Sequence, residues 1–323
     1  MNTIQQFIVY SKSGAQCFEW NSSTLKKDPV PHLQFMGTPA LRAGYSQDGK
    51  WVIVLKESEV ILASSTTPQV YTIPRKGVTR YSFSPKGTYL VTWESPVPNE
   101  PKNLFVWKIP RIDVSDTKTS EVQPVYSMLR KSVDSWPLFS WTSDESLCAR
   151  MTSDGIAICN GVFGESGDGS PAIISRIKAS NAHRLAWSPN GTYLSVFSLP
   201  KTGMPGSVAI YDPHSKEGRP LSTRAFFRGD ECRMMWNPDV SADSTEFLLA
   251  LVNTDMDATG KSYYGESALY AVYPRVPMRN SQLTFKQEGN IHDIAWNPNG
   301  KSFAVIYGCK YIILFIVLTL IKY

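Results

Sequence analysis

Short apolar runs recur along the chain, and most of them follow a similar polar turn. Trp51-Val-Ile-Val-Leu55, Tyr89-Leu-Val-Thr-Trp93, Tyr193-Leu-Ser-Val-Phe197, Phe247-Leu-Leu-Ala-Leu-Val252 and Ser302-Phe-Ala-Val-Ile-Tyr307 are nearly continuous in apolar character, rather than alternating. Such a run predicts a strand covered on both faces. A second set, Asn103-Leu-Phe-Val-Trp107, Ser207-Val-Ala-Ile-Tyr-Asp212 and Ala268-Leu-Tyr-Ala-Val-Tyr273, follows in several repeats and predicts a further strand. The turn pattern is an aromatic residue, Ser or Asn, then Pro or Asp with Gly. It occurs as Tyr45-Ser-Gln-Asp-Gly-Lys-Trp51, Phe83-Ser-Pro-Lys-Gly-Thr-Tyr89, Trp187-Ser-Pro-Asn-Gly-Thr-Tyr193 and Trp296-Asn-Pro-Asn-Gly-Lys-Ser302, with degenerate copies at Trp141-Thr-Ser-Asp-Glu-Ser-Leu147 and Trp236-Asn-Pro-Asp. Proline presets φ for the second position of a type I turn, and glycine takes the left-handed conformation that follows. The pattern therefore predicts bulged hairpins.

Successive aromatic anchors are 38, 58, 46, 49 and 60 residues apart, bracketing the period of about 40–50 for one four-stranded blade. The expected fold is all-β, a divergent WD-repeat-like β-propeller: an incomplete ring of about six blades plus an N-terminal partial blade, spanning 1–308. A β-sandwich with similar hairpins is the alternative, although six spaced copies of one turn suit repetition better. The chain contains no Trp-Asp dipeptide and no Gly-His pair, so it departs from standard WD40 repeats.

Composition narrows the class. With 42% hydrophobic and 19% charged residues, the 323-residue chain can bury enough apolar surface to fold, and its 22 prolines leave little room for long helices. A formal charge of +5 is a weak basic excess that permits a nucleic-acid partner without requiring one. Cys17, Cys148, Cys159, Cys232 and Cys309 contain no C-x-x-C pair and suit a reducing compartment. The first residues carry no secretory signal, and the sequons at Asn21 and Asn190 are then chance matches.

No catalytic motif stands out. Gly164-Glu-Ser-Gly-Asp168 has Asp where a nucleophile elbow needs glycine and predicts a loop between strands; no P-loop occurs, and His32, His183, His214 and His292 lack carboxylate companions at ligand spacing. These observations point away from an enzyme, a cofactor and a metal. Asp255, Asp257, Thr259, Gly260 and Glu266 nearly follow the order of a calcium loop, but predicted strands flank them, so a polar hairpin is expected. Basic pairs at Lys26-Lys27, Arg75-Lys76 with Arg80, and Arg130-Lys131 fall at expected blade edges, where they suit nucleic-acid phosphates or are ordinary solvated charge.

Three stretches resemble a known family. Ser140-Trp-Thr-Ser-Asp-Glu-Ser-Leu-Cys-Ala-Arg150, Val252-Asn-Thr-Asp-Met-Asp-Ala-Thr-Gly-Lys-Ser-Tyr-Tyr-Gly-Glu266 and Asp293-Ile-Ala-Trp-Asn-Pro298 are similar to eukaryotic translation initiation factor 2A, and the resemblance runs from about Tyr10 to Gly308. The b subunit of initiation factor three is the next relative. The resemblance implies a propeller and a non-enzymatic initiation factor associating with the small ribosomal subunit. It also implies support of initiator tRNA delivery, with mRNA and other initiation factors as further partners, cytoplasmic and without a membrane. Candidate ribosome or RNA contacts are Arg75, Lys76, Arg80, Arg130 and Lys131; candidate partner contacts are Asp255, Asp257, Tyr263, Tyr264 and Glu266. A protein-interaction scaffold outside translation is the alternative. In the family, the propeller continues further and a basic helical region follows it. Here residues 309–323 form an apolar tail with 11 uncharged residues at 311–321, about half of a membrane span. The tail is expected to be an alternative terminus that leaves a blade face uncovered.

Overall fold

In the computed structural model the structure describes residues 4–21, 29–98, 100–110, 122–215, 217–226, 229–241, 246–255, 265–284, 289–309 and 312–319. Among these residues there is no α-helix and one short 3-10 turn, Pro277–Arg279. All other regular structure is antiparallel sheet. The first sheet contains Ile4–Ser11, Gly14–Asn21 and Val30–Met36; the second, Arg42–Tyr45, Trp51–Leu55, Val60–Ser64 and Val70–Ile73; the third, Val78–Phe83, Tyr89–Glu94, Leu104–Lys108 and Pro124–Met128. The fourth contains Phe139–Trp141, Leu147–Thr152, Gly155–Asn160 and Ile173–Ile177, and the fifth contains Ala182–Trp187, Leu194–Ser198, Gly206–Tyr211 and Ser222–Phe226. Glu231–Trp236, Leu248–Thr254, Glu266–Val272 and Ser281–Leu283 form the sixth, and Asn290–Trp296, Ser302–Cys309 and Ile312–Thr319 the seventh.

Strands neighbour one another in chain order in every sheet. Among the described strands there is no Greek-key crossover of the kind a β-sandwich uses, and each sheet is a blade-like meander. The tail supplies the last strand of the seventh sheet, with Ile312 opposite Cys309 and Thr319 opposite Ser302. Two compact units contain these sheets. The first is Met1–Val133 with Val162–Pro171, and the second is Asp134–Gly161 with Ala172–Tyr323.

The predicted turns form through one repeated device. The Ser46, Ser84 and Ser188 hydroxyls accept the amides of Trp51, Tyr89 and Tyr193 at 3.0, 2.8 and 3.0 Å, closing the loop across five residues. Inside each loop the glycine amide returns to the same serine's carbonyl, as for Gly87 to Ser84 at 2.9 Å. Thr142 plays the serine's part for Leu147 at 3.1 Å. There, Glu145 occupies the left-handed position with φ +62°, where Gly191 has φ +75° in the intact copy.

The continuous apolar runs are explained by layers on both sides. Along Leu248–Thr254, the residues Leu248, Ala250 and Val252 pack toward the fifth sheet with Phe197 and Ile210, whereas Leu249 and Leu251 pack toward the seventh with Ile294 and Val305. In the first unit, Ile53, Leu62, Leu90 and Trp107 fill the layer between the second and third sheets. At roughly 1.5–3 kcal/mol for each large side chain fully buried, these layers dominate the stabilisation. The second unit adds a polar stitch. Trp187 Nε1 donates to the Ser140 carbonyl at 2.8 Å, Trp236 Nε1 to that of Ala186 at 3.2 Å and Trp296 Nε1 to that of Met235 at 3.3 Å. Each acceptor directly precedes the aromatic anchor of the preceding sheet. Tyr45 and Phe83, the first unit's anchors, have no indole to do this.

Candidate functional site

Antiparallel register brings the basic positions of the third sheet to one end. Val78 lies opposite Glu94, and Leu104 opposite both Trp93 and Met128. Segments 75–77, 95–103 and 129–131 therefore emerge together. The structure thus groups Arg75, Lys76, Arg80, Arg130 and Lys131, and adds Lys102, which sequence reading missed because it stands alone among polar loop residues.

These cations differ in availability. Arg75 is half-buried: its guanidinium contacts the buried Glu94 carboxylate, reaches Glu100 at 3.3 Å and lies 4.2 Å over the Phe105 ring. Its charge is already neutralised by two carboxylates. Asn103, itself buried, fixes the Arg130 backbone: Arg130 N–H donates to Asn103 Oδ1 at 2.7 Å, and the Arg130 carbonyl accepts from Asn103 Nδ2 at 3.0 Å and from Trp93 Nε1 at 3.1 Å. Arg130 Nε donates to the Ser132 carbonyl at 2.9 Å. Lys76, Arg80, Lys102 and Lys131 are exposed and have no ion-pair partner among the described residues. A rigid sheet end with free cations around a neutralised arginine can meet an extended anion through charge-assisted hydrogen bonds.

The other candidate loop is described only at its base. Asp255 N–H donates to Asp230 Oδ2 at 2.9 Å, and Glu266 N–H to Thr254 Oγ1 at 3.0 Å, with Thr254 opposite Glu266 in the register. Strands flank this loop, whereas an EF-hand has helices there. Asp257, Tyr263 and Tyr264 lie outside the described residues. So does the interior of the calcium-like segment. Among the described residues no group of three His, Cys, Asp or Glu side chains is placed to hold a metal.

The second unit has an open cleft of about 820 Å³ lined by Asp144, Tyr193, His214, Leu221, Arg275 and Pro277. Its Asp144, Arg275 and Tyr193 side chains are already engaged. The Thr142 hydroxyl, followed by the Ser146 amide and hydroxyl, holds the Asp144 carboxyl at about 2. Arg275 Nε donates to the Tyr193 hydroxyl at 2.6 Å. Thiol chemistry is also suppressed: burial pushes Cys232 up to about 12 and Cys148 well above its usual value, and Cys17, Cys148, Cys159 and Cys232 are all buried and unpaired. The Gly164–Asp168 stretch forms a loop, with Phe163 on the Tyr89 and Tyr126 rings.

The family model described as Eukaryotic translation initiation factor eIF2A matches residues 224–317, running into the strand Ile312–Thr319. Eukaryotic translation initiation factor 2A of Schizosaccharomyces pombe is 31% identical across 86% of this chain and 45% of its own length. The chain belongs to the eukaryotic translation initiation factor 2A family. It spans less than half the length of the curated relatives it matches. The B subunit of eukaryotic translation initiation factor 3 from Arabidopsis thaliana is 26% identical across 94% of this chain and 42% of its own length. A solved structure titled "Crystal structure of the eukaryotic initiation factor" superposes with a TM-score of 0.73 and 23% identity, covering 99% of this chain and 72% of that one. The fold is all-β and built from small antiparallel meander sheets, as the turn repeats predict, and this structural neighbour is propeller-like. No helix among the described residues is long and apolar enough to cross a membrane.

Proposed function

We propose that this chain is the propeller platform of a non-enzymatic, cytoplasmic translation initiation factor that associates with the small ribosomal subunit and supports initiator tRNA delivery. The family supports the role in initiation. The observation that carries the contact is the end of the third sheet, where Lys76, Arg80, Lys102 and Lys131 are exposed without ion-pair partners among the described residues. Neutralising phosphates with such residues releases counterions, so binding weakens as salt rises. In this reading Arg75 contributes least to the contact, because Glu94 and Glu100 already pair with it. Cosedimentation of the full chain with purified small subunits tests the proposal. Salt-sensitive recovery with small subunits, greater than with large subunits, supports it; equal or absent recovery overturns it.

A scaffold outside translation is the second reading. The turn at Pro277–Arg279, anchored by Asn280 through Tyr273 N–H and the Ser222 hydroxyl, holds Met278 98% exposed beside the exposed Val276. Exposed apolar side chains on a fixed turn suit protein contacts. Recovery of protein partners with no ribosomal component would favour this reading.

A further inference from the structure

Three residues before the aromatic anchor, the first strands of the second, third, fifth and sixth sheets carry Arg42, Arg80, Arg184 and Arg233, and the seventh carries Asp293. The register is the same throughout. These residues lie opposite Leu55, Trp93, Phe197, Leu251 and Ile306 of their second strands, and all five are exposed. In the second unit each arginine meets a carboxylate of the next sheet: Arg184 reaches Glu231 at 2.7 Å, and Arg233 contacts Asp293. Those first-strand charges cancel.

The first unit repeats the arginines without the acids. Val78 and Arg80 occupy the positions corresponding to Glu231 and Asp293. Arg42 consequently lies 5.6 Å over the Tyr81 ring, and Arg80 has no ion-pair partner among the described residues. Tyr81 is held in place because its hydroxyl sits against Gly44, where an added Cβ would collide with it. A cation–π contact accounts for Arg42 but leaves Arg80, on the first strand of the next sheet, without an ion-pair partner among the described residues. An incoming anion would supply that partner through charge-assisted hydrogen bonds.

We propose that Arg42, Arg80 and Tyr81 form a contact for single-stranded RNA. The two guanidiniums take phosphate oxygens, and Arg42, set against Tyr81, offers a planar face to a base. The ribosomal reading supplies only the choice of RNA.

The test measures anisotropy of a labelled oligouridylate of about twelve nucleotides with the full chain, a length within reach of a single-strand groove, alongside small-subunit cosedimentation. The double variant Arg42→Gln/Arg80→Gln is compared with Arg184→Gln/Arg233→Gln, which loses the same charge at the same register. The first is expected to bind at least tenfold more weakly, with the log–log salt slope reduced by about 1.4, from roughly 0.7 per phosphate contact; the second should stay within twofold. Tyr81→Leu should weaken binding about threefold without changing the slope. Equal losses in both doubles, or none in either, overturn the site. It is also overturned if a labelled oligoglutamate binds as tightly and is lost in the same variant, which would make an acidic protein segment the ligand. If oligouridylate behaves as expected but the wild-type chain fails to sediment with subunits, the ribosomal reading falls and this site stands.

Discussion

The first strands of the two units start from one pattern and end in different chemistry. In the second unit, Trp187, Trp236 and Trp296 tie each sheet to the one before it through indole hydrogen bonds, and the arginines at the common position are neutralised by Glu231 and Asp293. In the first unit the anchors are Tyr45 and Phe83, and Arg42 and Arg80 have no carboxylate partner among the described residues. A repeated position with its partner present serves packing. The same position with the partner missing is free to serve a ligand.

The largest expected contrast concerns the anchors. Trp236 stacks on Tyr193 and donates to the Ala186 carbonyl and the Ser195 hydroxyl. Trp236→Ala should cost about 3–5 kcal/mol, as aromatic truncations in cores do. Phe83→Ala, at a half-buried site without a polar bond, should cost less. Urea denaturation of both variants measures the difference, and equal losses would break the contrast.

The turns give the next effect. Gly191→Ala places a Cβ at φ +75° and 3.0 Å from Thr142 Cγ2, and should cost about 1–2 kcal/mol. Glu145→Gly removes a left-handed non-glycine residue and should raise stability by about 0.5–1 kcal/mol. Melting temperatures moving in the same direction for the two would contradict the turn geometry.

Smaller effects follow from the charges. Arg184→Gln should cost about 0.2–1 kcal/mol at low salt and less at 1 M, because its pair with Glu231 is exposed. Arg80→Gln should cost nothing. Burial, with Arg184 adding to it, holds the His183 imidazole below its usual 6.5. Protonation therefore favours the unfolded chain: this contribution is intact above about 6.5 and is lost as pH falls from there toward the folded value. His183→Gln should flatten the decline in melting temperature between pH 7.5 and 5.5.

Much of the fold is legible in the chain because a few turn residues determine it. Ser84-Pro85-Lys86-Gly87 specifies the hairpin by chemistry alone, and the unbroken run at 248–252 announces layers on both faces. The register that gathers 75–80 with 129–131 is non-local, so the sequence shows the cations but not their convergence. Nor does it show that Glu94 and Glu100 neutralise Arg75. The arginine three residues before each anchor is visible in the sequence, yet its meaning depends on which residue the next sheet places beside it. Strand ends shift for a similar reason: the strand predicted at 268–273 runs over Glu266–Val272 because pairing with Leu248–Thr254 sets its limits.

The most direct test of the account is small-subunit cosedimentation across a salt series with two charge-matched triple variants. One replaces Lys76, Arg130 and Lys131 of the first unit with Gln, and the other replaces the exposed Lys178, Lys201 and Arg279 of the second. The account predicts that the first loses most subunit binding and has a shallower salt dependence, while the second binds like the wild-type chain. Equal loss in both variants, or wild-type binding by the first, would contradict it.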